Sequence, residues 1–325
     1  MRRREFITLL GGAAALPLRA RAQQGERVRR IGVLMTFDDP VWKTWLSAFT
    51  QGLANLGWTE GRNVRMDLRW GSDDINRIRA LAQELVGLQP DIILANGTPA
   101  TVALQRETRT IPIVFAGVGD PVASGIVPRL NRPAGNITGF AGSDASLGGK
   151  RLEVLSEITP GLKRAAIMFK PDMVTASAFM PSLETAARSL KVEPIIAPVH
   201  DDVEIETAII ALGREPGGGL VVMPDIFMTA HRAPIILAAA RNKVPAVYSL
   251  SYFARDGGLL SYGVDPLDTF RAATYADRIL RGEKPGDLPV QFPTKFEMVV
   301  NRKTATALGL AIPPSILLRA DEVIE

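Results

Sequence analysis

The sequence alternates short apolar, β-branched runs with stretches of helical spacing, and this alternation constrains the fold more than any other feature. Its first series has predicted strands at residues 30–35, 63–68, 91–95 and 113–115 and predicted helices at 42–56, 73–88 and 98–108. At 42–56 the large apolar residues recur every three or four positions and so share one helix face. Continuous apolar strands separated by helices indicate a parallel sheet that is covered on both faces.

The same pattern restarts after a connector at residues 131–139 that is rich in turn-forming residues. The second series has predicted strands at 164–169, 193–197, 219–223 and 246–248 and predicted helices at 176–190, 202–212 and 231–241. The sequence therefore predicts an α/β protein with two Rossmann-like lobes of similar size.

The C-terminal part of the chain holds two further strand–helix pairs, which are too few to form a third core. They comprise strands at 259–264 and 296–301, each followed by a helix, at 268–280 and 302–308. We expect the first pair to return to the first lobe and the second pair to the second lobe, which makes a multi-crossover hinge. The predicted N-terminal lobe is 28–138 with 263–288, and the predicted C-terminal lobe is 139–262 with 289–325.

Residues 1–22 have the organisation of a bacterial export signal peptide. Arg3 and Arg4 precede a Gly- and Ala-rich apolar run at 7–18, as in twin-arginine signals, and this run is shorter than the roughly 20 residues of a membrane span. The small-x-small exit ending at residue 22 predicts cleavage before Gln23. An ordinary secretory signal is the alternative, and either signal places the mature chain in the periplasm.

Composition matters here for the function classes that it excludes. Residues 1–22 hold five arginines and one glutamate of the 38 basic and 34 acidic residues, so 33 of each remain and no basic excess favours nucleic acid or an acidic membrane surface. Because the chain has no cysteine, we expect no disulfide, thiolate nucleophile, Cys-based zinc site or lipid anchor. His200 and His231 lack metal-ligand spacing, and the mature chain has no apolar run long enough for a membrane span.

Three enzyme motifs are interrupted or missing in this sequence. The run Gly117-Val-Gly119 has Val122 in place of the third glycine of a dinucleotide fingerprint, and Gly149-Lys150 is followed by Arg151 where a phosphate loop has Ser or Thr. The Gly-x-Ser-x-Gly elbow of serine hydrolases does not occur. We therefore expect a protein that is not an enzyme and that uses no cofactor and no metal.

Nine blocks of sequence, spread in order over almost the whole mature chain, carry a family resemblance. They include QGLANLGWTEGRNV at 51–64 and NRPAGNITG at 131–139, and the others lie at 95–100, 111–115, 119–122, 257–263, 277–282, 293–301 and 312–324. The chain resembles bacterial ABC-transporter solute-binding proteins whose characterised relatives bind tryptophan or related aromatic amino acids. The resemblance implies a type I periplasmic binding architecture, a monomer with a small solute between its lobes, and a membrane permease as partner. It also makes an amino acid, aromatic ones first, the expected ligand.

In open parallel sheets, ligands bind beyond the carboxyl ends of the strands, and each candidate contact of the first lobe follows such a strand. The Thr36 hydroxyl can hydrogen-bond a polar ligand group, and the Phe37 ring can stack on a flat one. Gly97 lets the backbone approach closely, and Thr98 opens a helix whose free N–H groups suit a carboxylate. Asp120 suits an ammonium group or caps a turn.

The second lobe contributes six candidates, which are Ser143, Asp144, Lys170, Asp225, Phe227 and Tyr248. Asp225 close to Phe227 suits the ammonium and the side chain of an amino acid. Lys170 stands where relatives usually have Asn, so the usual contact is in doubt and a positive charge is added to the cleft. Tyr248 either contacts the ligand or forms the edge of the core.

Several functions remain open at this point. The favoured one is a non-catalytic protein that delivers a solute to a permease. A sensory receptor would use the same clamp to present its closed form to a signalling partner. An exported enzyme on this scaffold is the third possibility, since fold does not decide function. A transcription regulator is disfavoured because the export signal occupies the place of a DNA-binding head.

Overall fold

The computed structural model describes residues 27–36, 40–72, 74–171 and 175–325 of the chain. Within these ranges the strands form two sheets, one of five strands and one of seven, with helices packed around them. The predicted α/β fold class with two lobes is therefore confirmed. The predicted signal peptide, Phe37 and Asp73 lie outside the described residues. Of the helices described, none has both the length and the apolar character of a membrane span.

The N-terminal lobe is built on a fully parallel sheet with the strand order β2-β1-β3-β4-β5. Its strands are β1 (Arg29–Met35), β2 (Val64–Trp70), β3 (Ile92–Asn96), β4 (Ile113–Val118) and β5 (Ile137–Ala141). The helices between them are α1 (Pro40–Asn55), α2 (Ile75–Gly87) and α3 (Gly97–Glu107). Every residue of β3 is buried, as the apolar run at 92–95 predicts for a central parallel strand.

The C-terminal lobe continues the alternation of strands and helices. Its helices are α4 (Leu147–Ile158), α5 (Thr175–Leu190), α6 (Asp202–Gly213), α7 (Ile226–Ala230), α8 (Arg232–Arg241) and α9 (Ser251–Arg255). Its first strands are β6 (Arg164–Phe169), β7 (Glu193–Pro198), β8 (Gly218–Val222), β9 (Ala246–Tyr248) and β10 (Leu260–Val264). Within this group of five, every pair of neighbouring strands is parallel.

The chain then returns to the N-terminal lobe through a 3-10 turn (Pro266–Arg271) and α10 (Ala272–Leu280). The Trp58 indole donates to Asp277 Oδ1 across 2.8 Å and fixes α10 beside the end of α1. A last crossover leads to β11 (Phe296–Asn301), α11 (Arg302–Ala307), α12 (Pro314–Arg319) and β12 (Glu322–Ile324). The second sheet thus has the order β12-β11-β10-β9-β8-β6-β7, and only β11 runs antiparallel to its neighbour β10.

Two sequence predictions about the lobes are wrong. The strand predicted at 259–264 was expected in the first lobe, but β10 pairs with β9 on one side and β11 on the other, so both of its edges are bonded within the second sheet. The connector predicted at 131–139 ends inside β5, where Gly139 weakened the strand signal. At Gly139 the backbones are so close that a Cβ would lie 2.1 Å from the Phe115 carbonyl oxygen. The first sheet therefore continues to Ala141.

Candidate ligand-binding site

A cavity of about 770 Å³ lies between the two sheets and is lined by residues of both lobes. The N-terminal lobe contributes residues that follow β1, β3 and β4, and the C-terminal lobe contributes residues that follow β6 and β8. This is the edge at which parallel α/β sheets bind ligands. The volume falls in the range of about 300–1,000 Å³ that is typical of sites for small organic molecules.

The two lobes touch beside this cavity. A Cβ placed on Gly97 would lie 3.3 Å from Ile226 Cδ1 of the other lobe and 3.0 Å from Thr36 Oγ1. The rings of Trp45 on α1 and Tyr252 on α9 approach to 6.3 Å between centroids. Residue 97 has a φ of +77°, so the position needs glycine both for its backbone and for the close approach of the lobes.

The N-terminal lobe presents the start of α3 to the cavity. Thr98 and Pro99 line it, and the N-cap residue Asn96 makes no side-chain capping bond. The Thr98 hydroxyl accepts only a long hydrogen bond from the Gly119 N–H, at 3.4 Å. The first-turn N–H groups of a helix have no partner within the helix, and the helix dipole adds positive potential there. This wall is therefore suited to an anionic ligand group.

Asn96 is a cavity-lining residue that the sequence analysis did not single out. Its side chain is 2 % exposed, and its Nδ2 group donates to the Ala116 carbonyl oxygen at 3.4 Å. Within the described part of the chain, its Oδ1 atom has no hydrogen-bond partner. Leaving a buried acceptor unpaired costs about 1–3 kcal/mol. A polar residue that ends an otherwise apolar strand was the available sequence signal.

Three predicted contacts line the cavity but already have partners within the protein. Thr36 Oγ1 donates to the Asn96 carbonyl oxygen at 2.5 Å, and Ser143 Oγ donates to the Gly119 carbonyl oxygen at 2.8 Å. Asp120 Oδ1 accepts the backbone N–H groups of residues 122 and 123 at 3.0 and 2.9 Å. These hydrogen bonds hold the loops that surround the cavity.

Asp225 is a partly buried carboxylate on the C-terminal wall. It caps α7 by accepting the Met228 N–H at 2.6 Å, and it accepts the Lys170 backbone N–H at 3.3 Å. Burial raises the pKa of the Asp225 carboxyl from its usual 3.8 to about 6, although these backbone hydrogen bonds and the charge of Lys170 act in the opposite direction. The carboxylate is thus mostly ionised at neutral pH in a place where an added cation would be favourable.

Lys170 and Phe227 lie together on the same wall. The Lys170 ammonium sits 4.4 Å from the centroid of the Phe227 ring, within cation–π range. The Phe227 ring also packs on the His231 ring at 4.0 Å, and His231 Nδ1 lies 2.5 Å from Asp202 Oδ1. The predicted positive charge of Lys170 therefore lines the cavity. It packs on the Phe227 ring, on which a flat ligand could also stack.

Two predicted contacts do not reach the cavity. Tyr248 is 1 % exposed and stacks on Phe253 at 4.9 Å in the core, and burial raises the pKa of its phenol well above its usual value. Because Tyr248 lies within β9 and not after it, Leu250 is the residue of this segment that lines the cavity. Asp144 instead accepts the Ser146 N–H at 2.9 Å in the turn before α4.

The structure adds an apolar side to the cavity that sequence patterns assigned only to the core. Trp42 and Trp45 of α1 line it, with ring centroids 4.4 Å apart in an edge-to-face arrangement, and Ile75 and Ile226 face the same space. Arg79 and Arg106 line it from α2 and α3. Among the residues that the structure describes, no three His, Asp or Glu side chains are grouped so as to hold a metal ion.

Comparison with known proteins places this geometry in a family. A curated tyrosine-binding protein of Clostridioides difficile is 26% identical over 287 residues, which cover 88% of this chain and 82% of that protein. The crystal structure of a conserved domain protein from Vibrio cholerae is 27% identical, superposes with a TM-score of 0.84 and matches 91% of this chain and 100% of its own. An ABC domain from Streptococcus pneumoniae in complex with L-Trp gives the same TM-score at 24% identity, over 91% and 99% of the two chains.

These superpositions confirm the predicted type I periplasmic binding architecture. The model of the family described as ABC transporter substrate binding protein matches residues 30–324, which is nearly all of the described chain. The chain therefore belongs to the ABC transporter substrate-binding protein family.

Proposed function

We propose that this protein is the periplasmic solute-binding component of an ABC importer and that it binds an amino acid, with aromatic ones as the first candidates. One observation carries the proposal: Asp225 of one lobe and the start of α3 of the other lobe line the same cavity. The carboxylate suits the ammonium group of an amino acid, and the helix start suits its carboxylate.

A zwitterion held in this way would bridge the two lobes. The ligand then stabilises only the closed arrangement, because an open clamp separates the two groups that hold it. Such coupling lets a permease recognise the loaded form. It also accounts for the close approach at Gly97, where the Ile226 side chain of the other lobe packs against a residue without a side chain.

The remainder of the cavity suits an aromatic side chain. Trp42, Trp45 and Phe227 supply ring surfaces, and Ile226 adds aliphatic contact. A bound ring would pack on these rings in offset or edge-to-face geometry, which adds about 0.5–1.5 kcal/mol per pair beyond the burial of area. The tyrosine-binding protein and the L-Trp complex among the relatives support this choice of ligand class.

The test is a thermal-shift screen of residues 23–325 against the twenty amino acids, followed by calorimetry of each hit. A ligand at 100 times its dissociation constant should add about 2.7 kcal/mol of stability. We expect L-tryptophan or L-tyrosine to give the largest shift and small-angle scattering to show a smaller radius of gyration with that ligand. A screen in which no amino acid raises the melting temperature would contradict the proposal. Turnover of a bound amino acid would instead favour the enzyme alternative.

The periplasmic location is tested separately. We expect mass spectrometry of the periplasmic protein to find an N-terminus at Gln23, as the exit at 20–22 predicts. Replacing Arg3 and Arg4 by Lys should block export if the twin-arginine route is used, and should leave export intact if the signal is an ordinary secretory one.

A further inference from the structure

The acidic and basic side chains that line the cavity differ in how far the protein itself satisfies them. The aspartates Asp120, Asp201 and Asp225 each accept a backbone N–H group at 3.0 Å or less. Lys170 lines the same cavity, but no oxygen atom of the described residues accepts a hydrogen bond from its ammonium group, which lies 4.4 Å from the centroid of the Phe227 ring. The cavity therefore holds a cation that lacks an acceptor, whereas its carboxylates are already hydrogen-bonded.

The Lys170 ammonium lies on a surface that the ligand is expected to use. The Phe227 ring beneath it also lines the cavity, and it is held from within the C-terminal lobe by the His231 ring at 4.0 Å. Lys170 and Phe227 are both half-buried, so neither side chain is sealed from the cavity. A ligand ring that packs against Phe227 would bring its substituents beside an ammonium group with three N–H donors.

Two arginines of the N-terminal lobe add to this excess of positive charge. Arg79 of α2 and Arg106 of α3 line the cavity, and neither makes a hydrogen bond or an ion pair with a described residue. The walls of a cleft focus such a field on a bound molecule. Both arginines are exposed, so solvent ions screen them more than the half-buried Lys170. Lys170 is therefore the cation that should discriminate most strongly between ligands.

We propose that Lys170 is a specificity-determining residue and that the ligand carries an anionic group on its side chain in addition to its α-carboxylate. The inference rests on the proposed function, in which the start of α3 holds the α-carboxylate and Asp225 holds the ammonium group. Lys170 then pairs with the far end of the side chain. Its backbone N–H donates to Asp225, which fixes the two subsites relative to each other. The ligand class is an aromatic amino acid with a carboxylate or phosphate group on its ring.

The experiment compares three ligands that differ only at the para position of the ring: L-phenylalanine, 4-carboxy-L-phenylalanine and 4-carbamoyl-L-phenylalanine. The acid and the amide have nearly the same shape, so the difference in their affinities by calorimetry isolates the charge. We expect wild type to bind the acid about 10- to 100-fold more tightly than the amide, as for a hydrogen bond to a charged group. Lys170→Met should abolish this preference and leave the affinity for L-phenylalanine nearly unchanged. An acid that wild type binds no better than the amide, or a preference that persists in Lys170→Met, would overturn the assignment.

Lys150→Met is the matched control for the change in net charge. Lys150 lies on α4 of the same lobe, where it pairs with Glu153 at 3.2 Å, and it is not among the residues that line the cavity. This variant should keep the preference for the acid, and a preference lost equally in both variants would show that Lys170 has no special role. Lys170→Met should melt close to the wild-type temperature, because its ammonium has no hydrogen bond to lose.

The same ligands separate this inference from the function on which it rests. Wild-type protein that binds none of the three, and neither L-tryptophan nor L-tyrosine, contradicts the proposed function. Wild-type protein that binds L-phenylalanine and gains nothing from the added carboxylate contradicts only the role of Lys170.

Discussion

The C-terminal wall of the cavity presents Asp225 and Lys170, two charged side chains that the protein already holds in place, whereas the start of α3 on the N-terminal wall presents backbone dipoles without a side-chain cap. Asp225 accepts backbone N–H groups, and Lys170 rests on the Phe227 ring. Across the cavity, the N-cap residue Asn96 makes no side-chain capping bond, so the start of α3 has no side-chain cap. The two walls therefore differ in both the strength and the freedom of their polar groups.

This difference suggests that the two walls contribute differently to ligand affinity and ligand selectivity. A buried carboxylate attracts a cation strongly but with little directional selectivity, because its field extends over several ångströms. Amide and helix-end dipoles act at short range and require a donor or acceptor at a defined position. We expect the substitution of Asp225 on the C-terminal wall to change affinity most and substitutions on the N-terminal wall to change selectivity or closure.

The largest effect is expected from Asp225→Ala. A bound ammonium would lose its carboxylate, which should cost about 2–5 kcal/mol of binding free energy by calorimetry. The lost helix cap should lower the free energy of unfolding by about 1 kcal/mol in addition. Asn301→Ala is the control, because Asn301 is the buried N-cap of α11 in the same lobe but lies outside the cavity. It should lower stability and leave affinity unchanged. Wild-type affinity in folded Asp225→Ala would place the ammonium elsewhere, with Asp120 and Lys170 next to be changed.

The raised pKa of Asp225 predicts a pH dependence with a defined sign. Burial favours the neutral carboxyl in the folded state, so the group's contribution to stability is complete below its unfolded pKa of 3.8 and is lost as the pH rises through about 6. The unfolding free energy of ligand-free wild type, relative to Asp225→Asn, should fall by about 2 kcal/mol from about pH 4 to pH 7. Denaturant titrations at several pH values measure this difference. A difference that stays constant with pH would show that Asp225 is not desolvated.

A smaller effect on ligand binding is expected from Gly97→Ala, which tests whether binding requires the contact between the two lobes at this residue. The left-handed backbone at φ +77° should cost about 1–2 kcal/mol of stability with any side chain. Gly61→Ala carries the same backbone penalty at φ +79° but has no atom within 4 Å of the added carbon. If closure needs the contact with Ile226, calorimetry will show weaker ligand binding for Gly97→Ala only. Equal ligand affinities for Gly97→Ala and Gly61→Ala would show that binding does not depend on the contact between residue 97 and Ile226.

The smallest effect is expected from Thr98→Ala on the N-terminal wall. Removing the hydroxyl should cost about 1 kcal/mol of binding free energy or less, because the backbone N–H donors of α3 remain. Thr101→Val is the control, since the Thr101 hydroxyl donates to the Gly97 carbonyl oxygen inside the helix. Calorimetry should show that only Thr98→Ala changes affinity. A loss as large as that of Asp225→Ala would mean that the hydroxyl, and not the helix start, holds the carboxylate.

The strand and helix pattern by itself determined the two-lobed α/β architecture. Strands at 164–169, 246–248 and 296–301 were predicted with the bounds that the structure shows, because each is a compact apolar run between turn-forming residues. The rule that ligands bind at the carboxyl ends of parallel strands also selected Thr98 and Asp225, which the structure places on opposite walls of one cavity. Whether they bind the ligand stays a prediction.

Only the tertiary structure decided which neighbours each segment has. An apolar strand such as β10 fits either sheet by its sequence, and hydrogen bonds on both of its edges assign it to the second lobe. Single residues show the same dependence on the tertiary structure. Tyr248 is enclosed by the core, and the buried Asn96 amide oxygen has no partner among the described residues. The physical reason is that local periodicity reports which face of an element is apolar, whereas pairing, burial and the satisfaction of polar atoms depend on residues far away in the chain.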